Sequence, residues 1–292
     1  MDVSIIFVNY KTKDLTINAI NSVKSKTEGL EYEIFVVDNA SNDGSIEVIE
    51  QEIPNINIIK NPINSGFGSA NNLAIKQAKG KYILCLNTDT LLVNNAIKIM
   101  FDFMEKEENK NIGACGGYLV DMNLKPIHCG GRLPNVNEIV WKLGLRQIFK
   151  NYYKNHISMN LISDDNNINK KIGYITGADI FFRKSVLDEV GLFDENFFMY
   201  YEETDLQYRM QRAGYGIKFV PNARIIHLEG KSENNNYRKK ERFKNSEIYY
   251  FKKHHPHQVW LVKLIYSMLY LIDWLILRNK DSKELIFFME KL

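Results

Sequence analysis

Residues 1–90 alternate short, almost wholly apolar runs with segments of helical periodicity. The apolar runs are Val3–Val8, Ile34–Val37, Ile56–Ile59 and Tyr82–Leu86. The helical segments between them are Asp14–Lys26, Gly44–Glu52 and Ser69–Ala78. Short strands that are apolar on both faces must be covered on both sides, which helices accomplish in a parallel sheet. The alternation therefore predicts an α/β fold built on a parallel, doubly covered sheet.

Small polar or acidic residues follow each of the four apolar runs. These stretches are Asn9–Thr12, Asp38–Ser45, Asn61–Gly68 and Asn87–Thr90. A single such stretch is typical of a turn or a helix cap. Four of them at the carboxyl edge of one parallel sheet, where ligands of such folds bind, predict a binding site.

One of these stretches has an acid suited to a nucleotide base, and another has glycines suited to close contact with a ligand. The Asp38 carboxylate can accept the N3–H of a uracil or thymine ring. The alternative is that Asp38 or Asp43 caps the helix beginning near Ser45, and the sequence leaves both open. Gly66 and Gly68 permit close approach of the backbone to a ligand, and the following helix offers free N–H groups to an anion. A plain turn explains the glycines equally well.

Asp89 ends a buried strand, where an acid has little structural reason to be. It is suited to a divalent cation that holds a diphosphate, and its hard oxygen ligands indicate Mg²⁺ or Mn²⁺. The alternative is a helix cap for a segment starting near Asn94. His227 follows the last apolar run and precedes Gly230 and Ser232, so it is a further metal or diphosphate ligand or a structural histidine.

An aromatic run, Phe197–Tyr201, leads directly into two adjacent acids, Glu202 and Glu203. Adjacent carboxylates in a partly buried setting raise at least one pKa, as a general base near neutral pH requires. Acids at a helix N-terminus are also favoured by the helix dipole, and Asp205 can pair with Arg209. We accept that structural explanation for Asp205 and Arg209.

The rest of the first 230 residues is less regular. We expect an insertion or acceptor-side loop from Asn135 to Lys171, which is rich in Asn, Lys and Asp. The further predicted elements are a strand within Ile172–Arg183, a helix over Glu203–Ala213 ending at Gly214, and two short strands, Ile217–Val220 and Ile225–His227.

Bulk properties exclude several classes of protein. The 292 residues suffice for one large domain with an appendage, and a net charge of +3 is too small to indicate nucleic acid binding. Three cysteines without metal-site spacing predict neither a disulfide framework nor a zinc site, and fit a reducing cytosol. The N-terminus is predicted to be a strand rather than a signal peptide. These features predict a cytoplasmic protein.

The C-terminal part combines a basic and an apolar segment. Lys231–Lys253 is strongly basic, and Val259–Leu277 is largely apolar. A membrane span needs about 20 apolar residues, and Lys263 and Asp273 interrupt this one, so a span is disfavoured. The pattern favours peripheral contact with an anionic membrane surface at the cytoplasmic face. A helix packed on the rest of the chain or on a second subunit is the alternative.

Taken in order, the motifs of residues 1–232 resemble those of family 2 glycosyltransferases, in the rhamnosyltransferase-like branch of bacterial surface polysaccharide synthesis. The matching pieces include Val8-Asn9-Tyr10, Val36-Val37-Asp38-Asn39-Ala40-Ser41, Asn61-x-x-Asn64-x-Gly66-Phe67, Leu86-Asn87-Thr88-Asp89-Thr90, Thr176-Gly177-Ala178-Asp179, Tyr201-Glu202-Glu203-x-Asp205-Leu206-x-x-Arg209 and His227-x-x-Gly230-x-Ser232. Two pieces depart from the family, because its Asp-x-Asp metal motif is Asn-x-Asp here and its Glu-Asp motif is Glu-Glu.

The resemblance implies a GT-A fold, with a Rossmann-like nucleotide-binding half, a mixed and mainly parallel sheet and a C-terminal helical extension. It implies a catalytic domain over 1–232, an extension over 233–292, and inverting transfer from a dTDP- or UDP-linked sugar to a glycan or lipid-linked glycan. It assigns Asp89 to Mg²⁺ or Mn²⁺, and Glu203, or else Glu202, to the catalytic base. His227 joins Asp89 as a predicted metal residue on the strength of its place at a strand end. The implied nucleotide-sugar site comprises Val8, Tyr10, Asp38, Asn64, Gly66, Asn71, Asn87 and Thr88. The implied acceptor site comprises Gly177, Ala178, Asp179 and Tyr201.

Two other functions are weighed against this one. A non-catalytic nucleotide-sugar or glycan-binding protein on the same fold would not need Asp89 and two candidate bases. A nucleotidyltransferase would need a glycine- and lysine-rich loop after the first strand, where Asn9–Thr12 stands. The sequence does not identify the sugar, and rhamnose is the expectation for the branch.

Overall fold

A central eight-stranded sheet organises the chain in a computed structural model that describes residues 1–141, 143, 145–152, 160–162, 172–228 and 236–277. The strands run in the order β3-β2-β1-β4-β10-β6-β11-β5. Their bounds are β1 Val3–Asn9, β2 Tyr32–Asn39, β3 Asn57–Asn61, β4 Tyr82–Leu86, β5 Thr90–Leu92, β6 Ile112–Val120, β10 Asp179–Arg183 and β11 Gly216–His227. Three short strands, β7 His128–Gly131, β8 Asn160–Ile162 and β9 Tyr174–Ile175, form a second sheet in the order β8-β7-β9.

The first four strands are parallel, as the apolar runs predict. β1 pairs with β2 and β4, and β2 pairs with β3, all in parallel register. Every residue of β4 is buried, because β4 lies in the middle of the sheet between β1 and the antiparallel β10. The sheet is therefore mixed but mainly parallel, and the carboxyl ends of β1, β2, β3 and β4 share one edge.

Helices connect and cover these strands. The longer ones are α1 Lys13–Lys26, α2 Ser45–Glu52, α3 Phe67–Ile75, α4 Ala96–Glu105, α8 Lys184–Val190, α9 Glu202–Arg212, α10 Asn236–His254 and α11 Val259–Leu277. Short helices α5 Val136–Trp141, α6 Leu145–Ile148 and α7 Lys150–Tyr152 lie between β7 and β8. The predicted stop at Gly214 is confirmed, since Gly214 has φ +94° just beyond α9.

Two sequence-based expectations need correction. The predicted pair of short final strands is one strand, β11, which stays paired with β6 across a bulge between Val220 and Arg224. The stretch Asn135–Lys171 is not a plain loop, because its described residues include α5, α6, α7 and β8. Local sequence missed the continuity of β11 because Pro221 and Asn222 resemble a turn. It missed α5 because that helix packs against α11, far along the chain.

The C-terminal helices α10 and α11 pack on α5 and on the loop before α9. Their shared apolar cluster includes Phe197, Tyr201, Tyr250 and Tyr266, all buried. Among the described helices, none combines the length and the apolar character needed to cross a membrane. The predicted boundary at residues 232 and 233, and the predicted turn residues Gly230 and Ser232, lie outside the described residues.

Candidate active site

Asp38 lies at the carboxyl edge of the sheet and is held there by its neighbour on β1. Asn9 is fully buried, and its amide nitrogen donates to Asp38 Oδ1 at 2.8 Å, to Ser45 Oγ at 2.9 Å and to Ser41 Oγ at 3.1 Å. The backbone N–H of Ser45 instead bonds to Asp43 at 3.0 Å. Asp43 therefore takes the turn role at α2, and Asp38 is kept in one orientation at the sheet edge.

The loop before α3 is organised by a second buried amide. Asn39 donates to Asn64 Oδ1 at 2.9 Å and accepts from Asn61 at 2.9 Å, while Asn64 also accepts the N–H of Gly66 at 3.2 Å. Gly66 has φ +86°, and a Cβ there would lie 1.9 Å from the carbonyl oxygen of Phe198. Only glycine fits this contact between the loop and the segment that precedes α9.

Other predicted nucleotide-site residues lie along the same edge with different exposure. Asn71 is buried in α3 and donates to the Phe67 carbonyl at 2.9 Å, while its Oδ1 is buried and has no partner in the described part of the chain. Tyr10 is 45% exposed and Val8 is half-buried. Thr88 donates to the hydroxyl of Thr12 at 3.2 Å, which joins the ends of β4 and β1.

Asp89 and His227 face each other across the pairing of β5 with β11. The Asp89 Oδ1 and His227 Nε2 atoms are 3.3 Å apart, and the side chains of Asp89 and His227 are 13% and 16% exposed. The Leu228 N–H donates to the Asp89 carbonyl at 2.9 Å. Asp89 is not a helix cap, since β5 separates it from α4. Asn87 stands nearby, and its backbone N–H donates to Ala178 at 2.9 Å.

This pair fits a divalent cation. A carboxylate oxygen and an imidazole nitrogen a few ångströms apart are donors that Mn²⁺ accepts, and Mg²⁺ prefers oxygen. The other ring nitrogen, His227 Nδ1, is buried without a hydrogen-bond partner among the described residues. The described residues contain no group of three or more His, Cys, Asp or Glu side chains around a common point. A cation held here would thus need further ligands from a substrate or water.

The two adjacent acids begin α9 after an unusual turn. Tyr200 and Tyr201 both have left-handed backbones, with φ +71° and +68°. Such non-glycine conformations cost about 1–3 kcal/mol each and persist only where surrounding contacts enforce them. Glu202 is 4% exposed and Glu203 is partly exposed, and Oε2 of each is buried without a partner among the described residues. The turn thus directs two carboxyl groups into the protein.

Burial dominates the electrostatics of the pair. It raises the pKa of Glu203 from 4.5 to about 7, although backbone N–H groups partly oppose it. Burial and then the charge of Glu203 raise the pKa of Glu202 well above its usual range. Burial thus favours the uncharged form of Glu202, and Glu203 titrates near neutral pH. A carboxyl group that titrates near neutral pH suits acid–base chemistry there.

Glycines bring the acids close to the donor side of the sheet. A Cβ placed on Gly68 would lie 3.3 Å from the Cβ and Cγ atoms of Glu202, so α3 lies directly against α9. A Cβ on Gly177 would lie 3.4 Å from the Phe67 ring. The predicted acceptor residue Gly177 therefore lies beside the start of α3.

Three other predicted acceptor residues are buried in structural roles. Ala178 is 2% exposed. Asp179 is fully buried, and its Oδ2 accepts the Gly117 N–H at 2.6 Å. Tyr201 is 5% exposed, and its hydroxyl donates to Glu247 of α10 at 3.0 Å. Of the four predicted acceptor residues, Gly177 is the partly exposed one, and the acceptor role of each stays a prediction.

Asp205 forms the predicted pair with Arg209, with Nε and Oδ2 2.9 Å apart. Its other oxygen lies 2.7 Å from both Lys253 and His254 of α10. Burial raises the pKa of Asp205, but hydrogen bonds from His254 and Lys253, with the Arg209 charge, outweigh it and leave that pKa below its ordinary value. The carboxylate is a charged anchor for α9.

Sequence reasoning overlooked three polar residues that position this site. Asn9 and Asn39 hold Asp38 and the glycine loop, and both stood within recognised motifs as strand-end amides. Glu247 gave no such signal, because it lies in a segment whose basic residues suggest a surface. Its one clue is Lys244, one helical turn earlier.

Comparisons with known proteins identify the family. Residues 4–191, well over half of the chain, match the family described as Glycosyl transferase family 2, and residues 135–289 match Glycosyl transferase family group 2.

Two curated relatives illustrate the similarity. An N-acetylglucosaminyl-diphospho-decaprenol L-rhamnosyltransferase of Mycobacterium tuberculosis is 23% identical over 212 residues, covering 68% of this chain and 67% of that protein. The UDP-Glc:alpha-D-GlcNAc-diphosphoundecaprenol beta-1,3-glucosyltransferase WfaP of Escherichia coli is 36% identical over 107 residues, covering 36% of this chain and 42% of that protein.

A solved structure of similar fold is the mannosyltransferase PcManGT of Pyrobaculum calidifontis with GDP-Man and Mn²⁺. It superposes with a TM-score of 0.58 at 13% identity, covering 99% of this chain and 84% of that one. That likeness supports the fold, an α/β GT-A fold, and the family match supports the activity. The chain belongs to glycosyl transferase family 2 and is a glycosyltransferase.

Proposed function

We propose that the protein transfers a sugar, with inversion, from a nucleoside-diphosphate-sugar to a hydroxyl of a growing bacterial surface polysaccharide or lipid-linked glycan. The observation that carries this proposal is the buried Glu202–Glu203 pair beside α3, with one carboxyl group that titrates near pH 7. The relatives named for transfer to lipid-linked glycans support the acceptor class.

The reaction is a single displacement. Glu203 takes the proton of the acceptor hydroxyl, whose oxygen attacks the anomeric carbon as the bond to the diphosphate breaks. The nucleoside diphosphate leaves, and the sugar is bonded to the acceptor with its anomeric configuration inverted. Burial favours the uncharged form of Glu202 beside the base. Asp38 accepts from the nucleobase, and the α3 N-terminus with its Gly66 loop faces the diphosphate.

Asp89 and His227 hold Mg²⁺ or Mn²⁺ in this proposal, consistent with the Mn²⁺ named in the solved relative. A bound cation would neutralise charge on the departing diphosphate. Asp38 and the loop amides orient the donor independently of it.

The assignment of the base is tested with two isosteric variants. Glu203→Gln should abolish transfer and leave nucleotide binding nearly unchanged, because the amide keeps the shape but cannot take a proton. Glu202→Gln should retain measurable transfer, because burial already favours the uncharged form of that group. Undiminished transfer by Glu203→Gln, or equal loss in both variants, would contradict the assignment to Glu203.

The donor is expected to be dTDP- or UDP-linked, with rhamnose as the first candidate sugar. Slow donor hydrolysis by the purified protein, measured against a panel of UDP-, dTDP- and GDP-sugars with Mn²⁺, identifies nucleotide and sugar together. Hydrolysis confined to GDP-sugars would refute the expected nucleotide.

We further propose that α11 lies on an anionic membrane surface at the cytoplasmic face, where a lipid-linked acceptor would be presented. One stripe of the helix is exposed and apolar, with spacings of three and four residues. Its members are Trp260, Leu264, Met268, Leu271 and Leu275, each 43–65% exposed. Exposed Lys239 and Lys240 on the neighbouring α10 supply the positive charge that anionic lipids attract.

Vesicle flotation of the full chain tests this surface. The protein should float with phosphatidylglycerol vesicles and not with phosphatidylcholine alone, and Leu264→Glu with Leu271→Glu should abolish flotation. Met122→Glu, at an apolar residue that is 64% exposed elsewhere, is the matched control and should float normally. Unchanged flotation of the double variant overturns the proposal. The proposal also fails if the wild type does not float and the double substitution halves its mass in solution, because the stripe would then contact a second copy.

A further inference from the structure

A buried carboxylate on α10 joins the C-terminal helices to the turn before the candidate catalytic pair. Glu247 is 1% exposed. Its Oε1 accepts from the hydroxyls of Tyr201 at 3.0 Å and Tyr266 at 3.2 Å, and its Oε2 lies 2.6 Å from Lys244 Nζ. Lys244 also lies over the Tyr266 ring, 3.5 Å from its centroid. Both carboxylate oxygens are thus engaged inside the apolar cluster.

Tyr201, which donates its hydroxyl hydrogen to Glu247, immediately precedes α9. Tyr201 and the preceding Tyr200 have positive φ, a conformation that non-glycine residues adopt only where contacts enforce it. The next residue of α10 towards the N-terminus contributes as well, because Ser246 Oγ donates to the Met199 carbonyl at 2.8 Å. Two adjacent residues of α10 therefore restrain the left-handed turn.

A second contact between α10 and α9 lies one helical turn beyond Tyr201. Lys253 and His254, near the end of α10, both reach Asp205 at 2.7 Å. Glu202 and Glu203 lie between the Tyr201 contact and the Asp205 contact. The backbone that carries the pair is therefore fixed on both sides by a single helix.

These bonds do more than bury apolar surface. A buried charge cluster is seldom more stable than well-packed apolar side chains of the same volume. Directional hydrogen bonds, however, fix orientation in a way that apolar packing does not. A restraint of this kind matters most where a reacting group must be held within a fraction of an ångström.

We propose that Glu247 is a positioning residue for glycosyl transfer, which acts through Tyr201 to aim the Glu202–Glu203 pair. α10 is then part of the catalytic apparatus rather than an appendage to it. This inference rests on the proposed role of the pair as the site of the base.

Steady-state kinetics of three variants test the inference. Glu247→Ala should lower kcat by about 100-fold, as small displacements of reacting groups do, while KM for the donor changes less than about twofold. Glu247→Gln should recover much of kcat, because its amide oxygen can still accept hydrogen bonds from the hydroxyls of Tyr201 and Tyr266. Tyr266→Phe is the matched control. It removes a hydroxyl from the same carboxylate on the α11 side and should keep kcat near the wild-type value.

Three results overturn the inference. They are an unchanged kcat in Glu247→Ala, an equal fall of kcat in Tyr266→Phe, and a rise in the donor KM of Glu247→Ala without a fall in kcat. If Glu247→Ala does not fold, Tyr201→Phe takes its place, since it deletes only the hydroxyl that donates a hydrogen bond to Glu247. An unchanged kcat in that variant is equally decisive.

Hydrogen exchange separates this inference from the proposed function. Amides of residues 199–205 should exchange faster in Glu247→Ala than in the wild type, and not in Tyr266→Phe, whether or not any sugar is transferred. Unchanged exchange there refutes the restraint itself. Faster exchange in Glu247→Ala, together with a wild-type protein that transfers no sugar, would refute only the proposed function.

Discussion

Replacing Glu203 with glutamine should make the protein more stable at alkaline pH while it removes transfer. In the folded protein burial raises the pKa of Glu203 to about 7, against an ordinary value of 4.5. Between these two pH values the folded state binds more protons than the unfolded state does. The free energy of unfolding therefore falls as pH rises through this window, and it stays low above pH 7. Glutamine has no proton to lose and escapes that fall.

The size of the effect follows from the shift. About 2.5 pKa units at about 1.36 kcal/mol each amount to about 3 kcal/mol. Glu202 and Tyr174 are the ionisable groups that sense the charge of Glu203. A site under this strain is typical where function and stability compete.

Urea unfolding at pH 4.5 and at pH 8 measures the difference. The variant should exceed the wild type by about 3 kcal/mol at pH 8, and the two curves should nearly coincide at pH 4.5. Glu50→Gln, an exposed carboxyl group on α2, is the matched control and should not diverge from the wild type. Coincident curves for Glu203→Gln and wild type at pH 8 would show that Glu203 is solvated, and would refute the reasoning.

Three further perturbations probe other parts of the site. Asp38→Ala should weaken nucleotide binding about 10- to 100-fold, because a hydrogen bond to a charged group contributes about 1.5–3 kcal/mol; calorimetric titration with UDP and dTDP measures it, and unchanged affinity would remove Asp38 from the base site. Asp89→Asn should raise the Mn²⁺ concentration for half-maximal transfer about tenfold or more, since about 1.4 kcal/mol is tenfold in affinity; an unaltered Mn²⁺ titration would assign the cation elsewhere. Gly66→Ala should lower the free energy of unfolding by about 1–3 kcal/mol, because its Cβ meets the Phe198 carbonyl at a positive-φ position; thermal unfolding measures it, and an unshifted midpoint would show that the loop yields freely.

The strands and helices of the first hundred residues follow from local sequence. Apolar runs such as Tyr82–Leu86 match the observed β4 without change, because a strand buried on both faces leaves a signal in every residue. β11 was harder to predict, since its continuity depends on pairing with β6, which lies about a hundred residues earlier. Pairing between distant segments leaves no local pattern.

The same distinction applies to the site. Strand ends and adjacent charges single out Asp38, Asp89 and the Glu202–Glu203 pair, whose roles stay predictions. The burial of Tyr201 could not be predicted, because its environment is supplied by a helix more than forty residues later. Aromatic residues beside acids suit a sugar platform and an apolar core equally well, and only tertiary packing separates the two.

The bulge in β11 determines which side of the sheet carries the imidazole of His227. Three residues of β11 have no partner across the single step from Gly117 to Tyr118 on β6. Side chains alternate between faces along a strand, so a gain or loss of one residue that displaced the strand beyond the bulge would send His227 to the face opposite Asp89. A change of two residues would keep the face but shift the histidine along the strand by roughly 7 Å. Length variation that shifted the strand in this way would therefore alter the proposed metal site while every individual side chain was retained.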